Sequence, residues 1–217
     1  MQMIEQTPAN GQQTRTPATT KGIKTRQKLL DVAEEVFGTK GYFAASIVDI
    51  TQQANVAQGT FYNYFSSKYE IYAELIRQLS RDFRIEIKQE IARAKSQREA
   101  LEIGIHVFLK WVKNHRNLYS IVQQSVLVDE QLYRAYYERL ARGYLKGLEE
   151  AIGKGEFKPL HPETVAYCLM GVTSFIGMRW VYWENQDVPD HVVQDAITFI
   201  FEGLVNHPGK EKEGGSV

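Results

Sequence analysis

Apolar residues recur at intervals of three and four along nearly the whole chain between residues 23 and 206. This spacing places them on one face of an α-helix, and no segment shows the alternation of apolar and polar residues that is typical of a half-buried strand. The pattern therefore predicts an all-α protein of about nine helices. The predicted helices cover residues 23–39, 47–54, 58–64, 67–94, 97–114, 116–127, 129–153, 162–185 and 189–206.

Capping residues and breakers mark where these helices begin and end. Ser46 with Asp49, and Ser67 with Glu70, match the capping box that opens a helix. Gly41 stands where a left-handed residue would end the first helix. Further starts are marked by an N-cap aspartate and by two prolines in predicted first turns, at Asp129, Pro162 and Pro189.

The chain balances its charges, with 26 Lys and Arg against 26 Asp and Glu, so its net charge favours no class of partner. Residues 1–28 are locally basic, with five basic residues and one acidic residue. Such an arm either meets nucleic-acid phosphates or is a solvated, partly disordered tail. The charge alone favours the second interpretation.

The single cysteine, Cys168, lies in an apolar segment and is interpreted as a small core residue. One cysteine permits no intramolecular disulfide and no cysteine-based metal site, which is typical of a reducing compartment. No apolar run is judged to approach transmembrane length, and the polar first residues lack the apolar stretch of a signal peptide. We therefore expect a cytoplasmic protein that does not engage a membrane.

Residues 46–70 carry the most informative pattern in the chain. Two short predicted helices are joined there by a tight turn around Asn55, a residue that tolerates left-handed backbone. A helix-turn-helix of this kind places its second helix in the major groove of DNA. The residues expected to form its small core are Ile47, Ile50, Ala54, Val56 and Phe61. The residues expected on the outer face of the second helix are Gln58, Thr60, Tyr62 and Asn63, with Gly59 allowing close backbone approach.

Between Arg26 and Ile71 the sequence resembles the TetR family of bacterial regulators. The resemblance rests on the Phe37–Tyr42 helix end, the Ser46-Ile47-x-Asp49-Ile50 opening and the Gly59-Thr60-Phe61-Tyr62-x-Tyr64-Phe65-x-x-Lys68 pattern. It implies a homodimer that binds palindromic double-stranded DNA. By position, it implies that Ser46 meets a phosphate, that Gln58, Gly59, Thr60 and Tyr62 face the major groove, and that Tyr64, Lys68 and either Lys24 or Arg26 hold the DNA backbone.

Two positions depart from the pattern of the family. Ala57 replaces the usual Ser or Thr at the N-cap of the recognition helix, which removes a hydrogen bond worth about 1 kcal/mol. Gln58 replaces a frequent Lys, which exchanges a phosphate-seeking charge for a side chain that pairs bidentately with adenine. Both changes bear on the choice of operator sequence.

We expect four regions: a disordered leader (1–20), a helix-turn-helix domain (21–66), a ligand-binding and dimerisation domain (67–207) and a disordered tail (208–217). Helices eight and nine are expected to pair with their symmetry mates. The apolar face expected at that dimer interface is Val192, Val193, Ala196, Ile197, Ile200, Phe201 and Leu204.

The second domain holds more Tyr and Trp than a helical core needs, which suits an apolar pocket with a few polar groups. The alternative is that most of these aromatic residues are ordinary core. Arg179 would either anchor an anionic ligand group or form an ion pair with a carboxylate such as Glu184, and the ion pair is the favoured alternative. The predicted ligand-binding residues are Phe108, Trp111, Tyr133, Tyr137, Phe175, Met178 and Arg179.

These observations predict a transcriptional regulator, a repressor released from its operator by a small lipophilic, acyl or aromatic effector. Two other classes were considered, an enzyme and a DNA-architectural protein that takes no ligand. The five scattered histidines offer no paired metal ligands, and the sequence shows neither a glycine-rich phosphate loop nor a nucleophile elbow. We therefore expect a protein that is not an enzyme and uses no metal or other cofactor.

Overall fold

The computed structural model describes residue 17 and residues 19–205. Within them the only β pairing is an isolated bridge between Phe157 and Val205, so the predicted all-α fold is confirmed. The predicted leader and tail lie almost entirely outside the described residues. The helices are α1 (Thr20–Ala44), α2 (Ile47–Gln53), α3 (Gln58–Tyr62), α4 (Lys68–Ile91), α5 (Gln97–Asn114), α6 (Arg116–Val128), α7 (Glu130–Gly153), α8 (Pro162–Ile176) and α9 (Asp190–Leu204), with a π-helical segment (Gly177–Trp183) after α8.

The described residues fall into two compact units, one ending at Ala73 and the other beginning at Glu74. The first unit contains α1, α2, α3 and the first turns of α4. Its core is aromatic, and the rings of Phe37 and Tyr72 meet edge to face at 5.2 Å between their centres. The large side chains that are fully buried in this unit are Leu29, Leu30, Phe37, Ile50, Phe61, Phe65, Ile71 and Tyr72.

Helix α1 is longer than predicted at both ends. Thr19 caps its start, because the Thr19 hydroxyl accepts a hydrogen bond from the Gly22 N–H at 3.1 Å. At the other end, Gly41 has φ 78° and ψ 160°, so its φ is positive as predicted but its ψ is not that of a left-handed helix. A residue with a side chain rarely adopts this conformation. The helical trace resumes after Gly41 and ends at Ala44.

The second unit contains the rest of α4 and helices α5 to α9. Local sequence signals mark where two of its helices begin. The Asp129 carboxylate caps α7 by accepting hydrogen bonds from two backbone N–H groups, and Pro162 occupies the first turn of α8 as predicted. Pro189 is different, because it is the N-cap of α9 and not a first-turn residue. The core of this unit lies between α5, α7, α8 and α9.

The predicted helix over residues 162–185 is instead two segments. The α-helical hydrogen bonding ends at Ile176, and a π-helical segment continues to Trp183. Gly177 begins that segment close to α5, since a Cβ there would lie 3.6–3.7 Å from Phe108, Leu109 and Val112. The wider π-helical turn occurs where the helix packs closely against this neighbour, and local periodicity does not show it.

Helix α8 and the π-helical segment are apolar on more than one face, which corrects two sequence-based expectations. Pro162–Trp183 is 22 residues long and apolar enough to cross a membrane by length and composition alone, so the expectation that no run approaches that length is wrong. Core helices of water-soluble proteins pass the same test. Cys168 is exposed and does not lie in the core, because Val165, Ala166 and Leu169 define the buried face.

Helix α9 turns its predicted dimer face inward. Ile197 is 7% exposed and Phe201 is 3% exposed, and both belong to the core of the second unit. The expectation that they form the dimer interface is therefore wrong. Phe199 instead points outward from α9 with 72% of its surface exposed.

Candidate DNA-binding and effector sites

A complete capping box opens α2. The Asp49 N–H donates to the Ser46 hydroxyl at 3.1 Å, and the Ser46 N–H donates to the Asp49 carboxylate at 2.8 Å. Hydrogen bonds from Lys40, at 2.7 Å, and from Ser46 lower the pKa of the Asp49 carboxyl to about 2. The carboxylate is therefore ionised at neutral pH, and the start of α2 has a defined position.

The turn between α2 and α3 has the predicted conformation. Asn55 has φ 52°, in the left-handed region, and the Asn55 and Val56 N–H groups donate to α2 carbonyls at 3.0 Å. Ala57 makes no side-chain cap bond, because its methyl group has no hydrogen-bond acceptor. Helix α3 is attached to the core by Phe61, which is fully buried.

The opposite face of α3 is open. The side chain of Tyr62 is 53% exposed, and Gln58, Gly59 and Asn63 are also exposed, whereas Thr60 is half-buried. A Cβ at Gly59 would meet nothing within 4 Å, so the described residues leave this position uncovered. The structure thus brings the five predicted base-reading residues onto one short helix, as a major-groove reader requires.

The second unit contains a partly open cavity of about 610 Å³, within the usual range for small-molecule sites. Helix α7 borders it from Tyr136 to Glu150, which corresponds to about 21 Å of helix at 1.5 Å per residue. Much of the lining is apolar, and charged residues are concentrated near the α4–α5 connection and the end of α7. The apolar and aromatic lining residues include Phe83, Ile87, Ile91, Leu101, Phe108, Val122, Tyr136, Tyr137, Leu140, Tyr144, Phe157 and Met170.

Comparison with known proteins agrees with this arrangement. Residues 29–75 match the family model described as bacterial regulatory proteins, tetR family. The chain is 40% identical over 193 residues to the uncharacterized HTH-type transcriptional regulator YdgC of Bacillus subtilis, covering 85% of this chain and 95% of that protein. This chain belongs to the TetR family. It is a helix-turn-helix transcriptional regulator, as predicted.

Two further comparisons show how broad the similarity is. The HTH-type transcriptional activator FasR of Mycolicibacterium smegmatis is 24% identical over 186 residues, which is 84% of each chain. The crystal structure of the regulator FadR from Bacillus subtilis in complex with stearoyl-CoA matches with a TM-score of 0.74 at 22% identity, covering 82% of this chain and 98% of that one. The second likeness shows that the two proteins share a fold.

The residues that the TetR resemblance assigns to the DNA backbone differ in their surroundings. Lys24 is exposed and Tyr64 is half-buried. The Arg26 guanidinium lies 5.0 Å from the centre of the Phe65 ring. The Ser46 hydroxyl donates to Asp49 at 2.7 Å, so a phosphate would have to compete for that proton.

Lys68 has a structural role that the sequence pattern does not reveal. Its ammonium group donates to the carbonyl oxygens of Tyr42 and Ala45 at 2.8 and 2.7 Å and lies 4.5 Å from the centre of the Tyr42 ring. It therefore ties the start of α4 to the end of α1 in this regulator. Nearby, the predicted Ser67 capping box is only half formed, because the Glu70 carboxylate accepts from Ser66 and not from Ser67.

Only two of the seven predicted ligand-binding residues, Phe108 and Tyr137, line the cavity. Arg179 is exposed and pairs with Glu184 at 2.6 Å, the alternative favoured from sequence. The others lie elsewhere in the second unit: Trp111 is buried against Phe83 and His115, Tyr133 packs on Tyr137, Phe175 is 68% exposed and Met178 is half-buried.

Sequence reasoning missed the contribution of α7 and of glycine to the cavity. Gly104, Gly143 and Gly147 all border it, and the space exists partly because these positions lack side chains. The available signal was the i, i+4 spacing of Gly143 with Gly147, together with Tyr136, Leu140 and Tyr144 on the same α7 face.

Replacing Lys68 by Met is expected to reduce the stability of the protein itself. The substitution leaves the Tyr42 and Ala45 carbonyl oxygens without their charged donor, and hydrogen bonds to charged groups contribute about 1.5–3 kcal/mol. Chemical denaturation of the variant should show a loss of about that size. Lys24→Met is the matched control, since Lys24 is exposed: it should leave stability unchanged and reduce the salt dependence of DNA binding by about one phosphate contact. Equal stability of the two variants would contradict the role assigned to Lys68.

Proposed function

We propose that this TetR-family protein is a repressor whose hold on its operator is released by an elongated, mostly apolar effector. The observation that carries the proposal is the presence of an open α3 face in one unit and a partly open, mostly apolar cavity in the other. Helix α4 belongs to both units, since it begins at Lys68 and its residues Phe83, Ile87 and Ile91 line the cavity.

The DNA-binding function is assigned to residues 21–66, and effector binding and dimerisation to residues 67–207. The open face of α3 supports direct base contacts by Tyr62 and Gln58, because phenol and amide groups both reach base edges in the major groove. Lys68 is proposed to position this domain through its carbonyl contacts. The proposed DNA contacts are Lys24, Arg26, Ser46, Gln58, Gly59, Thr60, Tyr62, Asn63 and Tyr64.

Tyr62→Ala is expected to weaken operator binding by about 1–3 kcal/mol, because it removes a base-edge contact. Binding of unrelated DNA at the same salt concentration should stay the same, since that binding depends on phosphates. Fluorescence anisotropy with an operator obtained by selection from random DNA measures both quantities. An unchanged ratio of operator to unrelated affinity would exclude Tyr62 from sequence reading.

The cavity supports an acyl or otherwise elongated apolar effector. Its long border on α7 suits a chain-like molecule better than a compact sugar or ion, and FadR, which shares this fold, has been crystallised with stearoyl-CoA. The effector releases DNA only if it binds more tightly to a state that binds DNA poorly. Helix α4 is the proposed route of that coupling, because an effector in the cavity contacts Phe83 and Ile87 of that helix.

Gly104→Leu is expected to abolish the response to effector while leaving the fold intact. A Cβ at Gly104 would lie 3.8 Å from the Ile87 Cδ1, an ordinary contact, and the remaining atoms would occupy the cavity. Helix propensity favours Leu over Gly by about 0.5–1 kcal/mol. Gly153→Leu is the control, because Gly153 is helical and outside the cavity lining.

The measurement is DNA release and thermal stabilisation by lauroyl-CoA, 4-phenylbutyrate and undecan-2-one, which represent acyl thioesters, aromatic acids and neutral lipophiles. At least one should act on the wild type and on Gly153→Leu but not on Gly104→Leu. A Gly104→Leu protein that responds like the wild type would place the effector outside this cavity.

A homodimer is proposed to form through the outer faces of α8 and α9. The exposed side of α8 carries residues spaced by four, Tyr167, Gly171 and Phe175. The exposed Phe199 projects from α9. Large apolar side chains exposed together mark an interaction surface, and pairing of α8 and α9 is what the TetR resemblance implies. Dimerisation would also supply two α3 helices to a palindromic operator.

Phe199→Glu is expected to yield monomers that bind the operator weakly, because a charge would be buried at the proposed interface. Light scattering and anisotropy measure the two effects. Gln194→Glu, an exposed position on α9, should leave both unchanged. A Phe199→Glu protein that stays dimeric would exclude this face as the interface.

Activation of transcription is the second candidate, favoured by the likeness to the activator FasR. Repression requires only that the bound protein occupies the promoter, whereas activation needs a further contact with the transcription machinery. A promoter-reporter assay distinguishes the two: deletion of the gene should raise expression under repression and lower it under activation. The proposed setting for either is the bacterial cytoplasm, where the DNA is.

A further inference from the structure

Four tyrosines border the cavity of the second unit: Tyr119, Tyr136, Tyr137 and Tyr144. Three of them come from α7, and the rings of Tyr136 and Tyr137 meet edge to face at 5.2 Å. A phenol in an apolar wall brings a polar group that needs a hydrogen-bond partner. The four tyrosines form two pairs, according to whether the hydroxyl has a hydrogen-bond partner in the protein.

Protein groups satisfy the first pair. The Tyr119 hydroxyl donates to the Ser174 carbonyl oxygen at 3.2 Å. The Tyr137 hydroxyl accepts from the Gln123 amide nitrogen at 3.3 Å. Both hydroxyls therefore have a partner without any ligand.

The hydroxyls of the second pair, Tyr136 and Tyr144, have no hydrogen-bond partner within the described part of the chain. They are not sealed in the protein, because the Ser80 hydroxyl is the only fully enclosed side-chain oxygen or nitrogen without a partner among the described residues. Tyr136 is nevertheless only 6% exposed. The accessible part of its hydroxyl therefore faces the cavity that the residue lines.

Both of these phenols are proton donors at physiological pH. Burial raises the pKa of Tyr144 to about 12. Burial, followed by the neighbouring Tyr119 and Tyr144, raises the pKa of Tyr136 well above its ordinary value.

The charged part of the cavity border lies mostly elsewhere. Arg84, Lys95, Lys146 and Lys154 border it together with Glu150 and Glu156. The Arg84 guanidinium donates to the Ser80 carbonyl oxygen at 2.8 Å. Along α7, Lys146 is ten residues beyond Tyr136, or about 15 Å. It is two residues beyond Tyr144, a spacing at which helical side chains do not face each other. A carboxylate bound at the buried Tyr136 would lose its hydration, which is strongly unfavourable unless a cation pairs with it. A neutral acceptor has no such cost.

We propose that the Tyr136 hydroxyl donates a hydrogen bond to a neutral carbonyl oxygen on an elongated apolar effector, and that Tyr144, eight residues or about 12 Å further along α7, offers a second donor to a carbonyl at that position. The proposal rests on the proposed function, since it takes the cavity as the effector site. It makes these two tyrosines specificity-determining residues, which distinguish a carbonyl-bearing chain from a plain hydrocarbon. Ketones, esters and thioesters share the required oxygen.

The test compares four probes of similar length by isothermal titration with the full chain. Undecan-2-one and methyl decanoate carry the neutral carbonyl as a ketone and an ester, 1-undecene lacks it, and undecanoate carries a charge. One net hydrogen bond corresponds to an advantage of about two- to tenfold for the carbonyl probes over 1-undecene. Undecanoate is expected to bind more weakly than undecan-2-one.

The double variant Tyr136→Phe/Tyr144→Phe should remove that advantage and leave the affinity for 1-undecene unchanged, which shows that the cavity is intact. If only one carbonyl probe loses its advantage, that probe identifies the carbonyl type. Tyr182→Phe is the matched control, because the Tyr182 hydroxyl pairs with Ser120 at 3.1 Å and does not line the cavity. It should preserve the preference.

Three results would overturn the proposal while leaving the cavity as an effector site. These are equal binding of ketone and alkene to the wild type, an equal loss for both probes in the double variant, and tighter binding of undecanoate that the double variant does not alter. If none of the four probes binds to the wild type, both this proposal and the proposed apolar effector fail.

Discussion

Presentation of the recognition surface depends on the burial of Phe61. Helix α3 has five residues and no side-chain cap bond, and a helix of that length does not hold its shape alone in water. The fully buried Phe61 ring, 5.7 Å from that of Phe65, fixes the inward face of α3. Burial of Phe61 fixes the rotation of α3 about its axis. The side chains on the opposite side of the helix therefore face outward.

The same unit relies on an unusual joint between α1 and α4. The non-helical conformation of Gly41 interrupts the hydrogen bonding of α1, and carbonyl oxygens at a helix end need donors from elsewhere. Lys68 supplies three-point contact there, through two carbonyl oxygens and the face of the Tyr42 ring. A lysine that the family resemblance places on DNA phosphate is thus committed to the fold of its own domain.

The cavity of the second unit reflects a balance between space and polarity. Glycines on α5 and α7 leave room, and the aromatic residues around that room bring hydroxyl groups into an apolar wall. Two of these hydroxyls are satisfied by the protein, and the hydroxyls of Tyr136 and Tyr144 have no hydrogen-bond partner among the described residues. An apolar cavity without polar groups would accept any molecule of suitable length, so the tyrosines are where selectivity can arise.

The sequence by itself determined most of the helices, several of their caps, the left-handed Asn55 and the family. These features depend on neighbours within a few residues, and the helix-turn-helix pattern is local enough to place Gln58, Tyr62 and Asn63 on the exposed side. The Ser46–Asp49 box and the Asp129 cap formed as predicted for the same reason.

Only the tertiary structure decided which side of each apolar helix faces the core. Helices α8 and α9 are apolar on two sides, so periodicity could not tell that Ile197 and Phe201 are buried while Phe175 and Phe199 are exposed. It also decided between the two alternatives for Arg179, which pairs with Glu184. It further showed that Lys68 donates to backbone carbonyl oxygens. The partners in these contacts are brought together by tertiary packing. Packing depends on the volumes of all the surrounding side chains, including the glycines that leave the cavity open.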